Sequence, residues 1–241
     1  MAQHVLILGC GRSGTSIFGE LFDQLPDYTY YSEPDFALLR DLDYTRPVAV
    51  KVPREHPDYP ATPGLPFSLE ALQELFPEPR RIFWQIRHPL DTIASLKVGI
   101  SRNWGHHPRP PDWQEWLHQP LVIRCAYHWN FINTLGFRQV GSLAQLSRFE
   151  EMLEDPLGFA MRIGQEVGVD TAGRSPHLEA WARRVQNTNN ARFVEAHTSR
   201  PYSTRDHRVR IGRWRENLTP DEVESVTPII EDTAARFGYR W

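Results

Sequence analysis

Apolar residues fall along this chain in two alternating rhythms. Short continuous runs, His4 to Gly9, Val48 to Val52, Arg81 to Ile86 and Leu143 to Phe149, read as strands buried on both faces. Between them apolar residues recur three to four apart: Ile17, Phe18, Leu21, Phe22 and Leu25, stopped by Pro26-Asp27, then Leu69, Leu72, Leu75 and Phe76 behind a capping Ser68. A shorter strand over Tyr28 to Ser32 and a short helix over Asp35 to Leu42 fit the gap before Val48. A long helical region ends near Leu135 and is interrupted at Pro120. Pro156 to Val167 reads as a helix ended by Gly168, and Thr219-Pro220-Asp221-Glu222 opens a last helix running to about Phe237. Residues 53 to 66 hold five prolines and read as a loop, as do residues 101 to 112. From Asn187 to Arg210 the chain is polar without periodicity, a long loop or lid. Strand and helix alternate as in an α/β, three-layer sandwich around a parallel sheet.

Composition narrows the partners. The 241 residues show no break or low-complexity linker, so a single domain spanning 1–241 is expected. A formal net charge of −3 gives no general affinity for nucleic acid, and any anion site must be local. The apolar segment Val5 to Leu8 is far too short for a membrane span and lacks the flanks of a secretion signal, which makes a cytoplasmic protein the expectation. Cys10 and Cys125 match no zinc or redox spacing and are expected as free thiols. Lys51 and Lys97 are the only lysines among 27 basic residues, a pattern that a genome-wide coding bias produces. His106-His107 has no third ligand at metal spacing and reads as a solvated loop, so no metal is assigned. Helical spacing sends Trp113, Trp116 and Trp129 to the core and leaves Trp104 loop-placed.

The chemistry begins at Gly9-Cys10-Gly11-Arg12-Ser13-Gly14-Thr15-Ser16, between the first strand and the first helix. Its spacing matches the phosphate-binding loop G-x-x-x-x-G-K-[ST] at Gly9, Gly14 and Ser16, but Thr15 stands where an ATPase or GTPase carries its lysine. Amides at a helix N-terminus favour an anion, and Arg12 supplies positive charge. Arg87-His88-Pro89-Leu90-Asp91 forms a second strand-to-helix junction at the same sheet edge. Arg87 can fork onto a phosphate, and Ser95, one helical turn after Asp91, can reach the same group. Seven arginines lie between Arg192 and Arg215.

Taken together these segments resemble the sulfotransferases that use 3′-phosphoadenosine 5′-phosphosulfate (PAPS). Arg12-Ser13-Gly14-Thr15-Ser16 is similar to their 5′-phosphosulfate loop in its arginine form. Arg87 to Ser95 is similar to their 3′-phosphate motif, and Val209 to Leu218 with Phe237-Gly238-Tyr239 resembles their C-terminal segment. Arg148-Phe149-Glu150 before Asp155-Pro156 resembles a weaker feature. The resemblance implies a P-loop nucleotide-hydrolase-like fold and a cofactor site formed by Arg12, Ser13, Gly14, Thr15, Ser16, Arg87, Ser95, Arg210, Gly212 and Arg213. Which of Arg208, Arg210 and Arg213 touches the nucleotide stays open. It implies PAPS as co-substrate, its desulfonated product PAP, and a small-molecule or glycan hydroxyl acceptor, whether carbohydrate, lipid, tyrosyl or natural product. Lys51 resembles the strand-end lysine of some members, and with Arg12 would act on the transferring group. Glu33, just past a strand, resembles the early glutamate that other branches use as base, with His56 as the alternative. A small-molecule kinase and a non-catalytic nucleotide-binding module are the competing functions; oligomeric state is unreadable.

Overall fold

The computed structural model describes residues 2–97, 99–100, 104–187 and 211–241. Five strands form one parallel sheet: β1 (His4–Gly9), β2 (Thr29–Ser32), β3 (Val48–Lys51), β4 (Arg80–Ile86) and β5 (Ala144–Arg148), in the order β2-β3-β1-β4-β5. The register pairs Val5 with Ala49 on one side of β1 and with Arg81 on the other. Strand residues alternate between two apolar layers, as a doubly covered sheet requires. Leu6, Leu8, Val50, Ile82, Trp84 and Ile86 face one layer, while Val5, Ile7, Ala49 and Phe83 face the other. The first layer is closed by α2 (Leu69–Leu75), α3 (Pro89–Leu96), α4 (Leu121–Phe131) and, after α5 (Phe137–Val140), the long C-terminal helix. The second is closed by α1 (Thr15–Asp23), α6 (Phe149–Glu154), α7 (Pro156–Glu166) and α8 (Ser175–Asn187). A short α9 (Trp214–Asn217) precedes α10 (Pro220–Arg236).

Local signals set most element ends. Ser68 accepts a hydrogen bond from the Ala71 amide at 3.2 Å, and Thr219 with Glu222 completes a reciprocal capping box at the start of α10. The segment expected as a helix over Asp35 to Leu42 is a 3₁₀ turn, Phe36–Asp41, capped by Asp35, which buries Phe36 and Leu39 while an isolated bridge ties Asp35 to Arg54. The long helix expected up to Leu135 is one 3₁₀ turn (Glu115–His118), α4 behind Pro120, and a π segment (Ile132–Gly136). The π segment brings Gly136 against the Gly64 carbonyl, where a Cβ would lie 2.5 Å from its oxygen. Trp104 is fully buried and donates from Nε1 to His128 at 3.2 Å, so it belongs to the core and not to an open loop. The lid expected over Asn187 to Arg210 lies, beyond Asn187 itself, outside the described residues, and Arg208 and Arg210 with it.

Strand order fixes where a ligand can sit. From β1 the chain leaves on one side to β2 and β3, then crosses back to β4 on the other. The carboxyl end of β1 is therefore the topological switch point, where open parallel sheets bind ligands. Gly9, Lys51 and Ile86 end the three adjacent strands there.

Candidate functional site

The loop after β1 is shaped by close approaches. At Gly9, φ is +145° and a Cβ would lie 2.2 Å from the Gln85 carbonyl oxygen on β4; at Gly14, φ is +92° and a Cβ would lie 2.3 Å from the Phe149 ring. Only glycine meets both demands. Gly14 caps α1 without a side-chain hydrogen bond, and no acidic residue occupies the first turn. The helix thus presents its first amides and the positive end of its dipole into the loop. Ser13 is buried, and its Oγ has no hydrogen-bond partner among the described residues. A buried hydroxyl of this kind fits a bound anion.

Two guanidinium groups converge on that loop. Arg12 donates from Nε to Ser95 Oγ at 3.0 Å, and Arg87 donates from Nη1 to the Arg12 carbonyl at 3.3 Å. Arg87 also lies over the Phe149 ring, 4.4 Å from its centroid. Burial, and then the neighbouring charge of Arg87, pushes Arg12 down to about 10; burial lowers Arg87 against the opposing charges of Asp91, Glu150 and Tyr239. A site that holds two cations this close is relieved by anions. The two junctions recognised in the sequence are therefore one site, and Ser95 bridges them through Arg12.

Beside it stands a lysine–carboxylate pair. Lys51 Nζ lies 2.5 Å from Glu33 Oε1 and 3.2 Å from Ser16 Oγ. The lysine side chain is 4 % exposed and the glutamate 55 %, so the pair is buried at its cation and open at its carboxylate. Its geometry comes from strand ends under strain: Glu33 has φ +52° and Val52 φ +41°, while the Glu33 amide donates to the Lys51 carbonyl at 2.8 Å and the Val52 amide to Ile7 at 2.9 Å. Arg12, with φ +71°, is a third non-glycine residue in the left-handed region. Each such conformation costs on the order of 1–3 kcal/mol, and such residues cluster at working sites. Glu33 is not a helix cap, since Asp35 fills that role. His56 is engaged elsewhere, with Nε2 3.9 Å from Asp35, Nδ1 accepting from the Asp58 amide, and its ring against Tyr59.

The C-terminal segment closes the far side. Asp91, in the first turn of α3, accepts from the Gly212 amide and the Trp214 amide, both at 2.8 Å. Trp214 stacks on His88 with an interplanar angle of 6°. Glu150 accepts from the His88 amide and the Tyr239 hydroxyl, each at 2.8 Å, and Arg148 donates to the Phe237 carbonyl. Arg148-Phe149-Glu150 is thus the tie between the second junction and Phe237-Gly238-Tyr239. The solvated loop expected at His106-His107 does not hold for His106, whose ring is packed into the site. Its imidazole is wedged between two glycines: a Cβ on Gly11 would lie 2.8 Å from Nδ1, and one on Gly99 2.0 Å from Nε2. Burial, with Arg12 next, pushes His106 down to about 4, against the opposing charge of Glu33. The preceding Gly105 is the one local hint; the rest depends on a fold that no dipeptide reveals. Among the described residues no three His, Cys, Asp or Glu side chains are grouped to hold a metal, and no helix is long and apolar enough to cross a membrane.

No protein-family model matches the sequence, and no curated protein matches it. Solved structures do. A mouse sulfotransferase complexed with PAP is 14 % identical, with a TM-score of 0.60 over 96 % of this chain and 83 % of that one. The sulfotransferase domain from the curacin biosynthetic pathway is 12 % identical, with a TM-score of 0.58 over 100 % of this chain and 99 % of that one. The corresponding domain of the Synechococcus PCC 7002 olefin synthase is 14 % identical, with a TM-score of 0.55 over 99 % and 95 %. The chain has the fold of these sulfotransferases.

Proposed function

We propose that the protein transfers a sulfuryl group from PAPS to a hydroxyl of a small-molecule or glycan acceptor. One observation carries the reading: two arginines from two strand-to-helix junctions meet over a glycine loop, directly beside a buried lysine paired with an open carboxylate. The residues fit a nucleotide with two separate anionic groups. The uncapped α1 amides, the buried Ser13 hydroxyl and Arg12 suit one, and Arg87 suits the other. PAPS supplies the transferable sulfuryl group when bound.

The residues divide the remaining work. Arg12 and the loop amides are aimed to neutralise charge on the leaving phosphate, and Lys51 stands at the strand end to compensate charge on the group in transit. Glu33, half open at the same point, takes the acceptor proton, and its bond to Lys51 holds the carboxylate oriented. Thr15 in place of the loop lysine, with Arg12 and Lys51 carrying the charge, assigns no step to a metal ion. The free buried thiols Cys10 and Cys125 accord with a reducing, cytoplasmic setting.

The test is transfer itself. Radiolabelled sulfate from PAPS is expected to appear on at least one member of a panel of sugars, phenols and aliphatic alcohols, equally with EDTA and with magnesium. Phosphoryl transfer from ATP that needs magnesium would replace this reading with a kinase. Tight nucleotide binding with no transfer to any acceptor would reduce it to a binding module.

A further inference from the structure

We propose that Asp91 is a positioning residue of the nucleotide site, a clamp that fixes the Gly212–Trp214 backbone on the N-terminus of α3 so that Arg213 and Arg87 serve one phosphate. The inference rests on the nucleotide reading above. An aspartate in the first turn of a helix ordinarily bonds amides of its own helix. Asp91 does not: both carboxylate oxygens are spent on amides 121 and 123 residues away, one each, at 2.8 Å. It is 2 % exposed, and a carboxylate so deeply buried is kept only where its lone pairs are satisfied and a cation lies near. The cation is Arg87, whose charge Asp91 supports.

The distant segment is built to meet that carboxylate. Gly212 has φ +77°, and the turn it makes directs its own amide and that of Trp214 to the same side chain. Arg213 is the residue between the two pinned amides. The stack of Trp214 on His88 ties the same two segments together. Asp91 therefore links an arginine just past β4 to an arginine arriving from the far end of the chain. The ligand that profits is a nucleotide with an added ribose phosphate. One that carries only a 5′-phosphate engages the β1 loop and gains nothing from the clamp.

The experiment measures calorimetric affinity for PAP and for 5′-AMP in the full chain and two variants, with thermal melting alongside. Asp91→Asn keeps shape but offers one acceptor oxygen and turns an amino group toward the second amide. Its PAP affinity is expected to fall about tenfold or more, the scale of one charge-assisted hydrogen bond, with AMP affinity unchanged within about twofold. Gly212→Ala leaves Asp91 and α3 intact, strains the turn, and is expected to shift PAP alone in the same direction; it decides the matter if Asp91→Asn does not fold. Undiminished PAP preference in a folded Asp91→Asn, or in Gly212→Ala where Asp91→Asn does not fold, would overturn the clamp, as would equal losses for both nucleotides. Equal binding of PAP and AMP by the unmodified protein would instead overturn the nucleotide reading, and the clamp with it.

Discussion

At the residue scale the site turns on how each charged group is partnered. Lys51 is buried and Glu33 is not, so the pair can yield its carboxylate to a substrate while keeping its ammonium fixed. Glu33→Gln preserves shape and abolishes proton acceptance. Turnover is expected to fall roughly 10²–10⁴-fold while PAP affinity, measured by calorimetry, stays nearly constant. His56→Ala is expected to be mild, because His56 is held by Asp35, Asp58 and Tyr59. Near-normal turnover in Glu33→Gln with collapse in His56→Ala would transfer the role of base to the histidine. The sequence placed Glu33 correctly at a strand end, since that position follows from local pattern. It could not show that Lys51 would be buried, because burial depends on Ser16 and Glu33 arriving from two other elements.

At the element scale, continuous apolar runs announced the strands because a parallel sheet buries both faces, and caps such as Ser68 and Thr219 announced helices through bonds three residues long. Features made by distant contacts were not legible: the π segment at Gly136, the burial of Trp104, and the loop that carries His106 against the glycine loop after β1. That last loop has a thermodynamic signature. His106 has a folded value of about 4 against an ordinary 6.5, so below pH 6.5 the unfolded chain binds the proton that the folded one refuses. Stability present above pH 6.5 is lost as pH falls toward 4. His128, fully buried beside His106 and also lowered by burial, adds to the same loss. The melting temperature is expected to drop across this window, and His106→Asn to drop less steeply than the unmodified protein. Parallel profiles in the two proteins would mean that the imidazole is not held neutral by its setting.

At the scale of the whole molecule, the strand order β2-β3-β1-β4-β5 gathers into one place residues that the sequence spreads from Arg12 to Trp214. Two junctions that look alike in sequence, Gly14 at the start of α1 and Pro89 at the start of α3, become neighbours because β1 and β4 pair in register from His4–Arg80 to Gly9–Gln85. Arg12 and Arg87 then share a site in which burial lowers both and the charge of Arg87 lowers Arg12 further, an arrangement that the two anions of the proposed nucleotide would relieve. The central claim is that this nucleotide carries its second phosphate at Arg87. Calorimetry of PAP and 5′-AMP, in the unmodified protein and in Arg87→Ala, tests it most directly. A clear preference for PAP is expected, with Arg87→Ala removing most of it at a cost of about 1.5–3 kcal/mol in PAP binding and little change for AMP. Equal affinity of the unmodified protein for the two nucleotides, or a preference that survives the loss of Arg87, would contradict it.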